Sequence, residues 1–319
     1  MAFPGVGGAK LCLPSKAPAA RAAPFIIVVM TAAFNTIALI GKYKSPEVAG
    51  PLLALSAFLQ QRGVRVLVDS LTASHLTHNP LEVLPLEQAG KAADLAIVIG
   101  GDGTMLNIAR TLAPYEIPLV GVNQGRLGFL TDISVGTMLE TIAAILDGHH
   151  VMESRMLLAS QLVRGEQTIL DVLAFNDASI SKGSDGSLIE LEVRIDERFL
   201  YNLRADGLIV STPTGSTAYA LSAGGPILHP ALSAFALVPV CPHTLSNRPI
   251  AVSSEARIEV LMHRCADARV HYDSHTHLEL QPGDRIHVRR YERSIRLLHP
   301  VGHNYYHMLR EKLHWSESL

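Results

Sequence analysis

Leu95-Ala96-Ile97-Val98-Ile99 is an unbroken apolar run that leads straight into Gly100-Gly101-Asp102-Gly103-Thr104. This junction constrains the fold more than any other stretch of the chain. A continuous apolar run of that length suits a strand buried on both faces, as in a parallel sheet covered by helices. Residues 104–112 have helical spacing and residues 117–122 read as the next strand. The glycine-dense turn therefore sits at the carboxyl end of a strand, where open α/β sheets bind ligands. Glycines let backbone amides approach phosphate oxygens, and the helix start favours anions. Asp102 is the odd member, because a carboxylate beside phosphate repels it unless it has a proton task or holds a metal. A turn Asp that caps the helix is the plainer alternative. Neither G-x-G-x-x-G nor a P-loop fits, since no lysine-hydroxyl pair closes the turn. Phosphate charge would then be met by amides, a metal and other loops.

Around that unit the chain alternates strands and helices. Residues 36–40 form a short apolar strand, Ser45-Pro46 starts a helix carrying Leu52, Leu55 and Leu59, and residues 64–68 form a second strand, a pattern that predicts a parallel sheet. Asn123-Gln124-Gly125-Arg126-Leu127-Gly128-Phe129-Leu130-Thr131 follows the strand ending at Val122, so two loops can meet over one crevice. Residues 137–146 read as a helix. From Met152 to Leu298 the grammar changes to short segments of period two, such as Ile189, Leu191, Val193 and Ile195, which predicts an all-β domain. Tyr305, Leu309 and Leu313 return to helical spacing in a tail expected to pack back on the first domain.

The 319 residues suggest about two domains, and 48% hydrophobic residues supply ample core. A net charge of -2 argues against a nucleic-acid partner bound through a basic surface. Cys12, Cys241 and Cys265 are scattered, and reduced cytosolic thiols are expected. The first 24 or so residues, rich in Ala, Pro and Gly, lack core-forming periodicity and are expected to be unstructured. Residues 25–30 are apolar but far short of the ~20 residues of a membrane span.

A second dense stretch runs Arg204-Ala205-Asp206-Gly207-Leu208-Ile209-Val210-Ser211-Thr212-Pro213-Thr214-Gly215-Ser216-Thr217-Ala218-Tyr219. Its hydroxyls suit ribose, phosphate or base edges, and Gly215 permits close backbone approach; a polar hairpin connection is the alternative. Asn176-Asp177 is a third polar island, which needs a turn or a ligand as partner. Among 15 histidines, His275 and His277 would share a strand face with Asp273 at period two, a candidate metal site; exposed turn histidines are the simpler account. His149, His150 and the histidines from His299 to His314 look like surface and helix positions.

Together these stretches, with Ser222-Ala223-Gly224-Gly225-Pro226 and Pro242-His243-Thr244-Leu245-Ser246, resemble the NAD kinase family over residues 36–315. The glycine-aspartate turn alone is shared with lipid and sugar kinases; its combination with the Thr212 to Tyr219 stretch is specific. The resemblance implies an α/β fold followed by an all-β one. Residues 1–33 would be a disordered extension. Residues 34–150, with 301–319, would form a Rossmann-like nucleotide-binding domain with a parallel sheet, and 151–300 a β-sandwich-like NAD-binding domain. It implies transfer of phosphate from ATP to the adenosine ribose 2′-hydroxyl of NAD, giving NADP in the cytoplasm. Mg2+ or another divalent cation would arrive with ATP and have no protein ligands of its own. Asp102 would orient or deprotonate the hydroxyl, with Gly100, Gly101, Gly103 and Thr104 at phosphate. Asn176, Asp177, Arg204, Asp206, Thr214, Ser216, Thr217, Ala218 and Tyr219 would line the dinucleotide site. A homo-oligomer, dimer or tetramer, with NAD near the subunit interface is also implied. No membrane partner is expected. Two departures stand out: Asn176-Asp177 replaces the usual Asn-Glu, and Asp273-Ser274-His275 replaces Asp-Gly-Gln or Asp-Ser-Gln.

Overall fold

In a computed structural model of the chain, the described residues are 34–43, 45–74, 76, 81–125, 127–183, 187–244 and 246–315. The expected extension over 1–33 lies outside them, as do Arg126 and Leu245 of the motifs above. The first half runs β1 (Thr36–Gly41), α1 (Ala49–Gln61), β2 (Arg65–Asp69), α2 (Ser70–Ala73), β3 (Glu82–Leu84), α3 (Leu86–Ala92), β4 (Leu95–Ile99), α4 (Asp102–Leu112), β5 (Leu119–Asn123), β6 (Ile133–Ser134) and α5 (Met138–Leu146). Every residue of β4 and β5 is buried, because helices cover both faces. On one side α1 and α5 contribute Leu52, Leu55, Leu59, Ile142 and Ile145. On the other α3 and α4 contribute Ala89, Met105, Ile108 and Leu112. The pairs β1–β2, β1–β4 and β4–β5 are all parallel, which puts the carboxyl ends of β4 and β5 side by side.

The second half runs β7 (His150–Arg164), β8 (Gln167–Ala174), β9 (Asp177–Lys182), β10 (Ile189–Ile195), β11 (Arg198–Ala205), β12 (Gly207–Ser211), α6 (Tyr219–Ser222), β13 (Ala234–Val240), β14 (Ile250–Ser253), β15 (Ile258–Arg264), β16 (Ala268–Tyr272), β17 (Thr276–Glu279), β18 (Arg285–Pro300) and α7 (Tyr305–Leu313). Two antiparallel layers enclose one core. Leu191, Val193, Val260 and Val288 come from one layer and Ile180, Leu208, Val210 and Val270 from the other, as the period-two segments predict. The first layer is continuous with the parallel sheet, in the order β11-β10-β15-β18-β5-β4-β1-β2-β3. The second is ordered β14-β13-β12-β9-β16-β17. Long β18 makes the join, pairing β15 and β7 and meeting β5 at Leu297–Leu119.

The segment leading into helix α7 meets the first half through His303, whose Nδ1 lies 2.8 Å from Asp132 Oδ2, and the helix itself touches the second, where Tyr305 packs edge-on to His229. Among the described residues, no helix is long and apolar enough to cross a membrane.

Candidate active site

Asp102 opens α4, two residues earlier than the sequence pattern suggests, and Gly101 is the cap. Its carboxylate makes no cap bond to its own helix. Instead it reaches the loop after β5: Oδ2 accepts from the Phe129 amide at 2.8 Å, and Oδ1 accepts from the Leu130 amide at 3.0 Å and the Thr131 hydroxyl at 3.3 Å. An ionised carboxylate offers about four acceptor sites, so these contacts leave roughly one, on Oδ2. Gly128 makes the approach possible, because a Cβ there would lie 2.1 Å from Asp102 Oδ1.

The three glycines of the turn differ in role. The Gly100 amide donates to Val122 O at 2.8 Å, and a Cβ at Gly100 would meet Thr104 Oγ1 at 2.8 Å. Gly100 is therefore taken up by the sheet and is not available to phosphate, contrary to the expectation for it. A Cβ at Gly101 or Gly103 would meet nothing within 4 Å, so protein packing does not account for glycine at either place. Both face a cleft of about 360 Å³, lined also by Lys42, Tyr43, Thr104, Asn107 and His275. The first amides of α4 have no intrahelical acceptor. Lys42, from the loop after β1, is a cation the sequence reading missed, since nothing local ties it to the glycine turn 58 residues on.

Asp273 organises the second wall. Asp273 and Ser274 have φ of 48° and 60°, and the turn between β16 and β17 closes with the His275 amide donating to Tyr272 O. The expected strand face shared by Asp273, His275 and His277 does not exist, because Asp273 and His275 belong to the turn and β17 begins only at Thr276. The Asp273 side chain turns inward and accepts from the amides of Phe175 at 2.8 Å, Asn176 at 2.7 Å and Asp177 at 3.2 Å. Arg110 of α4 pairs with it at 3.2 Å. Phe175 is buried in the same core cluster as Met105 and Leu130, so the 175–177 turn lies against α4. Burial, and then the nearby Asp273 carboxyl, push the Asp177 carboxyl up to about 7. Burial raises Asp273 as well, against its backbone donors and Arg110.

The 211–219 loop is seated on that turn. Asn176 O accepts from the Thr212 amide at 2.8 Å, and the Thr212 hydroxyl donates to Phe175 O at 2.6 Å. A Cβ at Gly215 would lie 2.1 Å from Asn176 O, which is why only glycine fits. Ser216 is fully buried: its hydroxyl donates to Pro213 O and accepts from the Leu228 amide, so it holds the loop and does not face a ligand. The Thr214 hydroxyl accepts from Arg155 at 3.2 Å and Thr217 donates to Thr214 O at 3.1 Å. Tyr219 is 44% exposed and Ala218 half-buried beside it. Asn176, Asp177, Thr214, Thr217, Ala218 and Tyr219 thus gather at one end of β9 and β12. Arg204 and Asp206 do not: Ser211 pairs with Asp177, whereas Gly207 pairs with Ser181, so these two stand about 13 Å or more further along the strand. There Asp206 pairs with Lys182 at 2.7 Å and Arg204 with Glu190 at 3.3 Å.

A buried ionic cluster lies beside the loop. Asp132, His299 and His303 place donor atoms within 4.8 Å of one another. His299, expected at the surface, is 1% exposed, because β18 carries it between Asp132 and Glu153. The two imidazoles stack at 3.9 Å with 18° between planes. Both Nδ1 atoms point at Asp132 Oδ2, at 2.9 and 2.8 Å, the pattern of a hydrogen-bonded clamp. Burial alone would raise Asp132 and Glu153, but side-chain contacts from His299 and His303 hold Asp132 far below its usual range, and those from His299 and Arg155 hold Glu153 at about 2. Burial would lower His299, and its hydrogen bond to Asp132 together with the Glu153 carboxylate 3.2 Å from Nε2 raises it instead.

Comparison with known proteins places this geometry. Residues 37–150 match the model of the ATP-NAD kinase N-terminal domain and residues 175–299 that of the ATP-NAD kinase C-terminal domain. The chain is 56% identical over 287 residues to the NAD kinase of Nitrosospira multiformis, covering 90% of this chain and 98% of that protein. It is 54% identical over 286 residues to the NAD kinase of Nitrosomonas europaea, covering 90% and 97%. A yeast NADH kinase complexed with NADH shares the fold, with a TM-score of 0.82 at 24% identity over 90% of this chain and 89% of that one. An NAD kinase from Archaeoglobus fulgidus in complex with ATP superposes with a TM-score of 0.68 at 26% identity, covering 88% and 98%. With both domain models matched in order and relatives more than 50% identical over 90% of the chain, this chain belongs to the ATP-NAD kinase family.

Proposed function

We propose that the chain transfers the γ-phosphoryl group of ATP to the 2′-hydroxyl of the adenosine ribose of NAD, giving NADP. The observation that carries this reading is Asp102, whose remaining acceptor site lies beside an open turn where Gly101 and Gly103 leave room for phosphate. The ribose hydroxyl donates to Asp102 and is aimed in line at the γ-phosphorus. Lys42 lines the cleft as a counter-charge for the triphosphate, and His275 lines it as a hydrogen-bonding group. Phosphoryl transfer of this kind is mostly positioning and charge stabilisation. Mg2+ takes oxygen ligands in octahedral geometry, and Thr104, Asn107 and a single carboxylate are too few to cage it. A cation brought by ATP and shared with its oxygens fits that donor set. The free thiols of Cys241 and Cys265 suit a reducing compartment such as the cytoplasm.

Arg204 and Asp206 enter the dinucleotide site from a second copy of the chain in a homodimer or tetramer. Their distance from Asn176 within one chain supports this, as do Phe199 and Leu200, 58% and 37% exposed on β11, the strand that carries Arg204.

The deciding experiment supplies purified protein with magnesium-ATP and NAD and follows NADP. Steady formation of NADP is expected, and chelator abolishes it while the ligand-free melting midpoint stays in place. NAD binding without turnover would make the protein a silent dinucleotide regulator, and phosphorylation of a lipid or sugar alone would overturn the acceptor. A midpoint that falls with chelator would reveal a resident metal.

A pH effect follows from Asp177. Near pH 7 its carboxyl is about half protonated, and only the ionised form accepts from both hydroxyls of a ribose diol. kcat/KM for NAD is therefore expected to rise about tenfold from pH 6 to 8, since it reports groups of the free enzyme. Asp177→Asn should flatten that rise; an unchanged slope in the variant would remove Asp177 from ribose contact.

A further inference from the structure

Arg155 belongs to none of the sequence motifs, yet it is the one charged side chain seen to touch the 211–219 loop among the described contacts. It projects from β7 and is 2% exposed. One guanidinium nitrogen donates to Thr214 Oγ1 at 3.2 Å and another to Glu153 Oε2 at 2.8 Å, while Nε has no partner. These are the two hydrogen bonds of its side chain among the described residues. The same Glu153 oxygen faces His299 Nε2 at 3.2 Å, and His299 shares Asp132 Oδ2 with His303. His303 immediately precedes Asn304, whose side chain caps α7 by accepting from the Tyr306 and His307 amides. Tyr305, the first residue of that helix, is partly buried beside Arg155 and Glu153, with no partner for its hydroxyl.

We propose that Arg155 is a positioning residue for the Thr214 loop and that the carboxyl-terminal segment around His303 sets its position through His299 and Glu153, making the last helix a determinant of dinucleotide affinity. The inference rests on the reading that this loop holds NAD. A buried guanidinium bound to two oxygens behaves as a rigid fork, so a shift of Glu153 is passed to Thr214. The hydroxyl and its backbone then move relative to the ligand without altering Asp102 or the glycine turn. The route is contiguous: tail, imidazole pair, carboxylate, guanidinium, loop.

The test is a double-mutant cycle in the full chain with KM for NAD, KM for ATP, kcat and melting midpoint as readouts. Arg155→Lys keeps the charge and loses the fork; Thr214→Ala removes the acceptor; Thr214→Ser restores it. Each of the first two should raise KM for NAD about tenfold with kcat within about threefold and KM for ATP unchanged, and the double variant should be no worse than either, as expected for residues acting as a unit. His303→Asn, remote from the loop, should raise KM for NAD about threefold, and Thr214→Ser should behave as the parent. If Arg155→Lys fails to fold, Glu153→Gln is read the same way. An unaffected KM for NAD in Thr214→Ala would sink the dinucleotide reading of the loop. A raised KM in Thr214→Ala together with a normal one in folded Arg155→Lys, or multiplied effects in the double variant, would overturn the relay and leave the loop's role standing.

Discussion

Asp102→Asn is expected to lower turnover at least about 100-fold while NAD binding, measured by calorimetry, stays within about tenfold. A positioned base contributes roughly 10²- to 10⁴-fold, or about 3 to 5 kcal/mol of barrier, and an amide cannot take the proton. The variant also turns one oxygen into an NH2 group facing the amides of Phe129 or Leu130. Donor against donor there should cost about 1–3 kcal/mol of stability. Thr131→Val separates the two effects: it removes the hydroxyl that donates to Asp102 but keeps the carboxylate. It should lose stability to a similar degree yet keep turnover within about tenfold. Equal loss of turnover in both variants would mean that Asp102 only holds the 128–131 loop in place.

Asp273→Ala should cost roughly 3–5 kcal/mol, the usual penalty for leaving a buried partner uncompensated. Arg110, with a side chain 11% exposed, would lose its carboxylate, and the amides of Phe175, Asn176 and Asp177 would lose their acceptor. At a few degrees per kcal/mol, the melting midpoint should drop roughly 10 °C. Ser274→Gly, next along the same turn but exposed and at a positive φ of 60°, should leave it within about 2 °C. A midpoint for Asp273→Ala indistinguishable from the parent would show that the clamp does not hold the second wall.

The parallel sheet was legible because its signals are local. Each strand is a short apolar run and each helix start carries its own marker, so Leu95 to Gly100 announces itself without reference to the rest of the chain. The same holds for the polar islands, whose composition is unusual wherever they fold. What escaped was set by contacts across long sequence separation. Asp273 bonds to Phe175 at 98 residues' distance and His299 to Asp132 at 167, and neither pair leaves a local trace. A periodicity argument placed Asp273 and His277 on one strand face, and two residues with positive φ ended the strand between them. His299 reads as a polar surface residue by type, and only the carboxylates that β18 carries it between make it an interior one. The glycines of one motif also proved unlike one another: Gly100 serves packing, whereas Gly101 and Gly103 keep space open, a distinction that requires coordinates.

The position of β18 has a bearing on how the chain is made. The outer edge of β5 is shared between β6, at Val122 and Asn123, and β18, at Leu119, so one flank of the first sheet is completed by a residue translated 178 positions later. A nascent chain holding only the first half therefore presents part of an unpaired apolar edge until nearly all of the protein has left the ribosome. Such edges are templates for pairing with other chains, and closing so long a loop is slow. Truncated products ending before residue 297 should thus be aggregation-prone however well their own helices form.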